Sequence, residues 1–220
     1  RTTELSSATS SSADRSVSIP LRDADGTVTV FVPTKTQRAF LRDPARECWL
    51  FGEVRSGKTV ALAHKLSAEA AKLPGRHVGL AAATWSMLVH RTLPAFMDAL
   101  GEEGCKWTSL QHHPRSVTLR NGCTVWLATL DRLTTFDGRR WSALAVDGAQ
   151  IEDARFLPRL RCTVRAPPAR LFVAWDLPPN VSAAVATTRE NKYLPPAFVV
   201  QLAEQARGER ACLPRAGISA

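Results

Sequence analysis

Residues 52–59 read Gly-Glu-Val-Arg-Ser-Gly-Lys-Thr, the G-x-x-x-x-G-K-[ST] spacing that cradles nucleotide phosphates. Gly52 and Gly57 permit a tight turn in which successive backbone N–H groups point at a β-phosphate. A helix beginning near Lys58 adds the positive end of its dipole. Lys58 is then placed to reach the β- and γ-phosphates, and the Thr59 hydroxyl to ligate magnesium. Glu53, Val54, Arg55 and Ser56 supply the intervening cradle. The chemistry implied is binding of ATP with Mg2+. An ordinary strand-to-helix turn carrying Gly and Lys is the competing account. The apolar run Cys48-Trp49-Leu50-Phe51 before the loop and the helical pattern after it argue against that account.

A second group stands far along the chain. Ala143-Leu-Ala-Val-Asp147 reads as an apolar strand ending in an acid. Asp147 at the carboxyl edge of a sheet, beside the loop, could hold magnesium through a water. Many ATPases carry next a glutamate that polarises the attacking water. This chain has Gly148, which cannot act as a general base. Glu53, Glu152 and Asp153 are the carboxylates that could substitute, or nothing substitutes and ATP binds without efficient turnover.

The elements that must position these groups follow from periodicity. Leu62, Leu66, Ala70 and Leu73 form one apolar helical stripe, ended by Pro74-Gly75. His77 to Ala83 reads as a buried strand, completing a βαβ unit and implying a parallel sheet. Residues 27–32 read as a strand, and a short helix follows Pro33, with Gln37, Phe40 and Leu41 in it, stopped by Asp43-Pro44. Trp85 to Leu100 reads as a helix that Pro94 kinks or splits. Ser116–Arg120 and Cys123–Leu127 alternate around Asn121-Gly122, a strong hairpin signal. Ile151 to Leu160 and Pro195 to Ala206 read as helices, and Arg170 to Trp175 as a strand. The expected fold is α/β: an ASCE-type P-loop NTPase, with a mainly parallel central sheet flanked by helices and an added β-hairpin.

The chain has 220 residues, 45% of them hydrophobic, enough for one substantial core. Residues 1–16 are Ser/Thr-rich and read as disordered, residues 17–208 as the ATPase domain, and residues 209–220 as a tail. No run approaches the ~20 apolar residues needed to cross a bilayer. The net charge of +9 favours a polyanionic partner, nucleic acid before an anionic membrane. Arg115, Arg120, Arg132, Arg139 and Arg140 are the candidate DNA phosphate contacts, each weighed against a plain solvated charge. Five cysteines with no C-x-x-C pair suit a reducing cytoplasm. Cys105, His112, His113 and Cys123 match no zinc-site spacing.

The order of the segments carries a resemblance. Gln37, the loop, Asp147 and the strand-loop at 170–180, with "TKTQRAFL", "LRNGCTVWLAT", "FDGRRWSALAVDGAQ", "FLPRLRCTV" and "NKYLPPAFVVQLAE", resemble the large terminase subunit of tailed bacteriophages, from about Pro33 to Gly208. The resemblance implies that Gln37 contacts adenine and that Arg55 senses or stabilises the γ-phosphate. It implies that Gly52, Gly57, Lys58 and Thr59 hold phosphates and magnesium, and that Asp147 ligates magnesium. Trp175 to Pro179 occupies the place of the motif coupling hydrolysis to movement, although that motif is usually Thr- or Ser-rich. The implied partners are double-stranded DNA, the small terminase subunit, the portal protein and further copies of the chain in a ring, in the cytoplasm of an infected bacterium. The dozen residues after Gly208 leave no room for the nuclease domain of such proteins, so no DNA cleavage is expected. A helicase or recombination ATPase, and a nucleotide-binding scaffold or regulatory module without turnover, are the alternatives.

Overall fold

The computed structural model describes residues 19–22, 28–53, 55–101, 105–106, 116–136, 138–148, 156–176 and 185–186. Val54, Arg115, Glu152, Asp153, the segment expected to be disordered, the tail and the helix expected over Pro195 to Ala206 lie outside them.

The strand before the loop, β3 (Glu47–Gly52), alternates half-buried and buried positions, and the helix after it, α2 (Lys58–Ala71), is buried along most of its length. Leu62 and Leu66 are fully enclosed, each contributing about 1.5–3 kcal/mol by leaving water. β4 (His77–Ala82) returns parallel, as its continuous apolar run requires. With β7 (Thr124–Thr129), β8 (Ala143–Asp147), β9 (Arg170–Asp176) and the short β10 (Val185–Ala186), these form six parallel strands. β6 (Ser116–Leu119) and β5 (Cys105–Lys106) extend the sheet antiparallel, giving the order β10-β3-β9-β8-β4-β7-β6-β5. β9 thus separates the loop strand from the acid strand, the arrangement that defines the ASCE type.

Two cores cover the two faces. One packs Cys48, Leu50, Ala145, Phe172 and Ala174 of the strands against Leu62 and Leu66 of α2 and Phe96 of α4 (Leu93–Leu100). The other packs Leu144, Val146 and Val173 with Phe136 of a 3-10 turn (Leu133–Phe136), Trp141 and Leu160 of α5 (Phe156–Thr163).

The Asn-Gly hairpin forms between β6 and β7, and Asn121 also reaches outside it. Its Nδ2 donates to the Ala70 carbonyl at 2.9 Å, tying the hairpin to the end of α2. The strand expected at 27–32 is β2 (Val28–Phe31), and β1 (Ile19–Arg22), not anticipated from sequence, pairs with it antiparallel.

The helix expected over Trp85 to Leu100 is one stretch of three parts: α3 (Trp85–Met87), a π-helical turn (Leu88–Thr92) and α4. Pro94 has no N–H, so an α-helix through it would leave the His90 carbonyl without its donor. The chain widens into the π-turn just before that point, with the Leu93 N–H bonded to the Leu88 carbonyl.

Candidate nucleotide site

The phosphate loop begins where β3 ends and closes at Gly57, whose φ of 81° caps α2 in the left-handed region. Arg55 also has a positive φ, 62°, and is exposed. Lys58 is buried at the head of α2. Its Nζ donates to the Gly52 carbonyl at 2.8 Å and to the Glu53 carbonyl, so its charge lies within the loop. Ser56 is buried and its hydroxyl has no hydrogen-bond partner among the described residues. An orphaned hydroxyl inside a phosphate loop suits a polar ligand.

Asp147 is brought to this loop by the sheet order. It is 1% exposed at the end of β8, and each carboxylate oxygen has a donor. The Thr59 hydroxyl donates to Oδ1 at 3.1 Å and the Thr92 hydroxyl to Oδ2 at 2.7 Å. Arg91 Nε donates to the Thr59 hydroxyl at 3.2 Å. Thr59 and Asp147 therefore present hard oxygen donors side by side, the set that magnesium takes. Thr92 and Arg91 did not emerge from the sequence reading. Both sit on the π-turn, and such turns are frequent at functional sites; Pro94 was the local signal available.

Gln37 reaches the loop from α1 (Lys35–Arg42) and is 3% exposed. Its Nε2 donates to the Ser56 carbonyl at 2.9 Å, and its Oε1 accepts from the Thr34 N–H at 2.9 Å as part of a capping box. Both ends of the amide are thus engaged, tying α1 to the phosphate loop.

Gly148 is buried with φ of 62°, a conformation that side chains disfavour. A Cβ there would lie 1.9 Å from Met87 Cε and 2.9 Å from its Sδ. The tip of the Met87 side chain lies where that Cβ would be.

The remaining candidates are scattered. Glu53 is exposed. Arg120 lies in the hairpin turn at the edge of the sheet where β7 begins, and Arg132 just past the end of β7, at the opposite edge. Arg139 stacks on the Trp126 ring at 4.0 Å, and Arg140 is exposed beside it. The arginines therefore do not form one patch. Among the described residues no group of three or more His, Cys, Asp or Glu could hold a metal ion. Burial pushes the Cys123 thiol up to about 11, away from a ligand's thiolate.

The fold matches solved structures. The large terminase from a thermophilic bacteriophage superposes with a TM-score of 0.59 at 13% identity, covering 83% of this chain and 51% of that one. The fold is that of the phage large terminases. The same phage's terminase in complex with ATP-gamma-S gives 0.57 at 13% identity, covering 83% and 50%, and its ADP complex gives 0.53 at 16%, covering 64% and 38%. The chain thus spans 38 to 51% of the length of these terminases. No protein-family model and no curated protein matches the chain. No helix among the described residues is long and apolar enough to cross a membrane.

Proposed function

We propose that the chain is the ATP-binding motor domain of a viral DNA-packaging terminase, coupling ATP hydrolysis to movement of double-stranded DNA into a procapsid. The observation that supports this best is the Thr59–Asp147 hydrogen bond behind Lys58, in a fold similar to that of the terminases. Lys58 would exchange the Gly52 and Glu53 carbonyls for β- and γ-phosphate oxygens. Thr59 and Asp147 would hold magnesium, which when bound neutralises charge on the phosphates. Arg55 would turn from solvent to the γ-phosphate, and Gln37 would fix the Ser56 end of the loop beside the adenine. Glu53 and Glu152 are the sequence's candidates for handling the attacking water. Basic residues including Arg120, Arg132, Arg139 and Arg140 would meet DNA phosphates. The partners in this reading are the small terminase subunit, the portal and other copies of the chain in a ring, within the bacterial cytoplasm.

Gly148 supports a second reading, a nucleotide-binding scaffold without turnover, because glycine cannot act as a general base. One assay separates them: ATP binding and phosphate release, with and without duplex DNA, for the unmodified chain, Lys58→Ala and Asp147→Asn. Binding and release in the unmodified chain, both lost in Lys58→Ala, support the motor. Binding without release under every condition supports the scaffold. No binding overturns both.

A further inference from the structure

The hydrogen bond from Arg91 Nε to the Thr59 hydroxyl, at 3.2 Å, sets a permanent cation against a neutral group. A guanidinium pairs best with carboxylates and phosphates, whose oxygens match its planar fork. Both oxygens of the nearby Asp147 carboxylate already accept from hydroxyls, Thr59 at 3.1 Å and Thr92 at 2.7 Å. The contact with Thr59 uses Nε, one of the five N–H donors that a guanidinium carries.

The backbone that carries Arg91 is fixed, while its side chain is exposed. Thr92, next in the chain, is 1% exposed and held by Asp147. Leu88, Leu93 and Phe96, on either side, are buried in the core that packs against α2. The Leu93 N–H bonds the Leu88 carbonyl across the π-turn. A polar group on such a rigid base is held close to its working position before the ligand arrives.

The sheet order gives the direction from which the guanidinium comes. The phosphate loop follows β3; β9 and then β8, which ends in Asp147, stand next; β4, which leads into α3 and the π-turn, lies beyond β8. Arg91 therefore reaches Thr59 from the side of the metal acid, opposite the loop. In such sites the loop cradles the β-phosphate, and the residues that take magnesium face the bridge between β- and γ-phosphates. A triphosphate extends towards Arg91, and a diphosphate ends short of it.

We infer that Arg91 binds the γ-phosphate and thereby discriminates ATP from ADP. The inference rests on the nucleotide-site reading above and deepens it. The guanidinium exchanges its bond to the Thr59 hydroxyl for bonds to γ-phosphate oxygens, as Lys58 exchanges the Gly52 and Glu53 carbonyls.

The test is calorimetric titration of the unmodified chain, Arg91→Ala, Arg91→Gln, Arg91→Lys and Lys58→Ala with ATP-gamma-S and with ADP, both in excess Mg2+. The unmodified chain is expected to bind ATP-gamma-S more tightly than ADP. Arg91→Ala and Arg91→Gln are expected to weaken ATP-gamma-S by about tenfold or more and ADP by no more than about twofold. Arg91→Lys keeps the charge without the fork and is expected to fall between. A residue that merely holds Thr59 would move both nucleotides together, so equal weakening overturns the inference, as does an unchanged ratio of the two affinities. Should Arg91→Ala and Arg91→Gln both fail to fold by circular dichroism, Arg91→Lys decides: a smaller ratio supports the inference and an unchanged one overturns it. Equal affinity of the unmodified chain for both nucleotides overturns it while the nucleotide site stands. Failure of the unmodified chain to bind either nucleotide, matching Lys58→Ala, overturns the ATPase reading and this inference with it.

Discussion

Thr92 donates a 2.7 Å hydrogen bond to Oδ2 of Asp147, and Thr59 holds the other carboxylate oxygen at 3.1 Å. A carboxylate that is 1% exposed requires such donors, since an unpaired buried acceptor loses its water without compensation. The π-turn before Pro94 is what delivers Thr92. Thr92→Val preserves shape and removes the donor. It is expected to lower stability by roughly 1–3 kcal/mol in urea denaturation. Thr92→Ser, which keeps the hydroxyl, should lose much less; a stable Thr92→Val beside a destabilised Thr92→Ser would show that packing of the methyl, not the hydrogen bond, matters.

The backbone at Gly148, with φ of 62°, resists a side chain, and the flexible tip of Met87 would also have to move aside for one. Gly148→Ala places a Cβ 1.9 Å from Met87 Cε at a φ of 62°. The strain is expected to cost on the order of 1–3 kcal/mol, read as a lower Tm. Gly148→Glu alone is then expected not to raise phosphate release. Met87→Ala combined with Gly148→Glu gives the new side chain room and is the variant in which a gain should show.

Gln37 spends both ends of its amide on the loop and on its own helix cap. Gln37→Glu keeps the acceptor for Thr34 but turns an oxygen towards the Ser56 carbonyl. Two acceptors then face each other, and the expected loss is about 1–3 kcal/mol with weaker ATP binding. Gln37→Ala should weaken binding less. Calorimetric titration of both variants checks the order.

His64 gives the fold a pH dependence. It is 5% exposed, stacks on the Phe31 ring at 4.9 Å, and its Nε2 has no partner among the described residues. Burial pushes its pKa down to about 4, from the ordinary 6.5. The unfolded chain therefore binds this proton more readily than the folded one, so its contribution to stability is present above pH 6.5 and lost as pH falls towards 4. That gap corresponds to roughly 3 kcal/mol at most. Urea midpoints between those two pH values should fall more steeply for the unmodified chain than for His64→Phe.

Much of the site was legible because it is local. The loop needs glycines, a lysine and a threonine within eight positions, and neighbouring residues alone bend the backbone that way. Asp147 was legible as an acid ending an apolar strand, and the parallel sheet followed from the βαβ pattern. Gln37 was expected through the resemblance, as an adenine contact, and its hydrogen bond to the Ser56 carbonyl, 19 positions away, was not anticipated.

The sequence by itself determined the phosphate loop, its strand and helix, the acid strand and the hairpin, because each is written in short-range periodicity and turn chemistry. Only the tertiary structure decided that Thr92 and Arg91 join the site, that Thr59 and Thr92 share the Asp147 carboxylate, and that the tip of Met87 lies against Gly148. Those relations depend on a π-turn that redirects two side chains and on a strand order that sets β9 between β3 and β8. Neither is written locally, because packing the sheet faces selects which distant segments become neighbours.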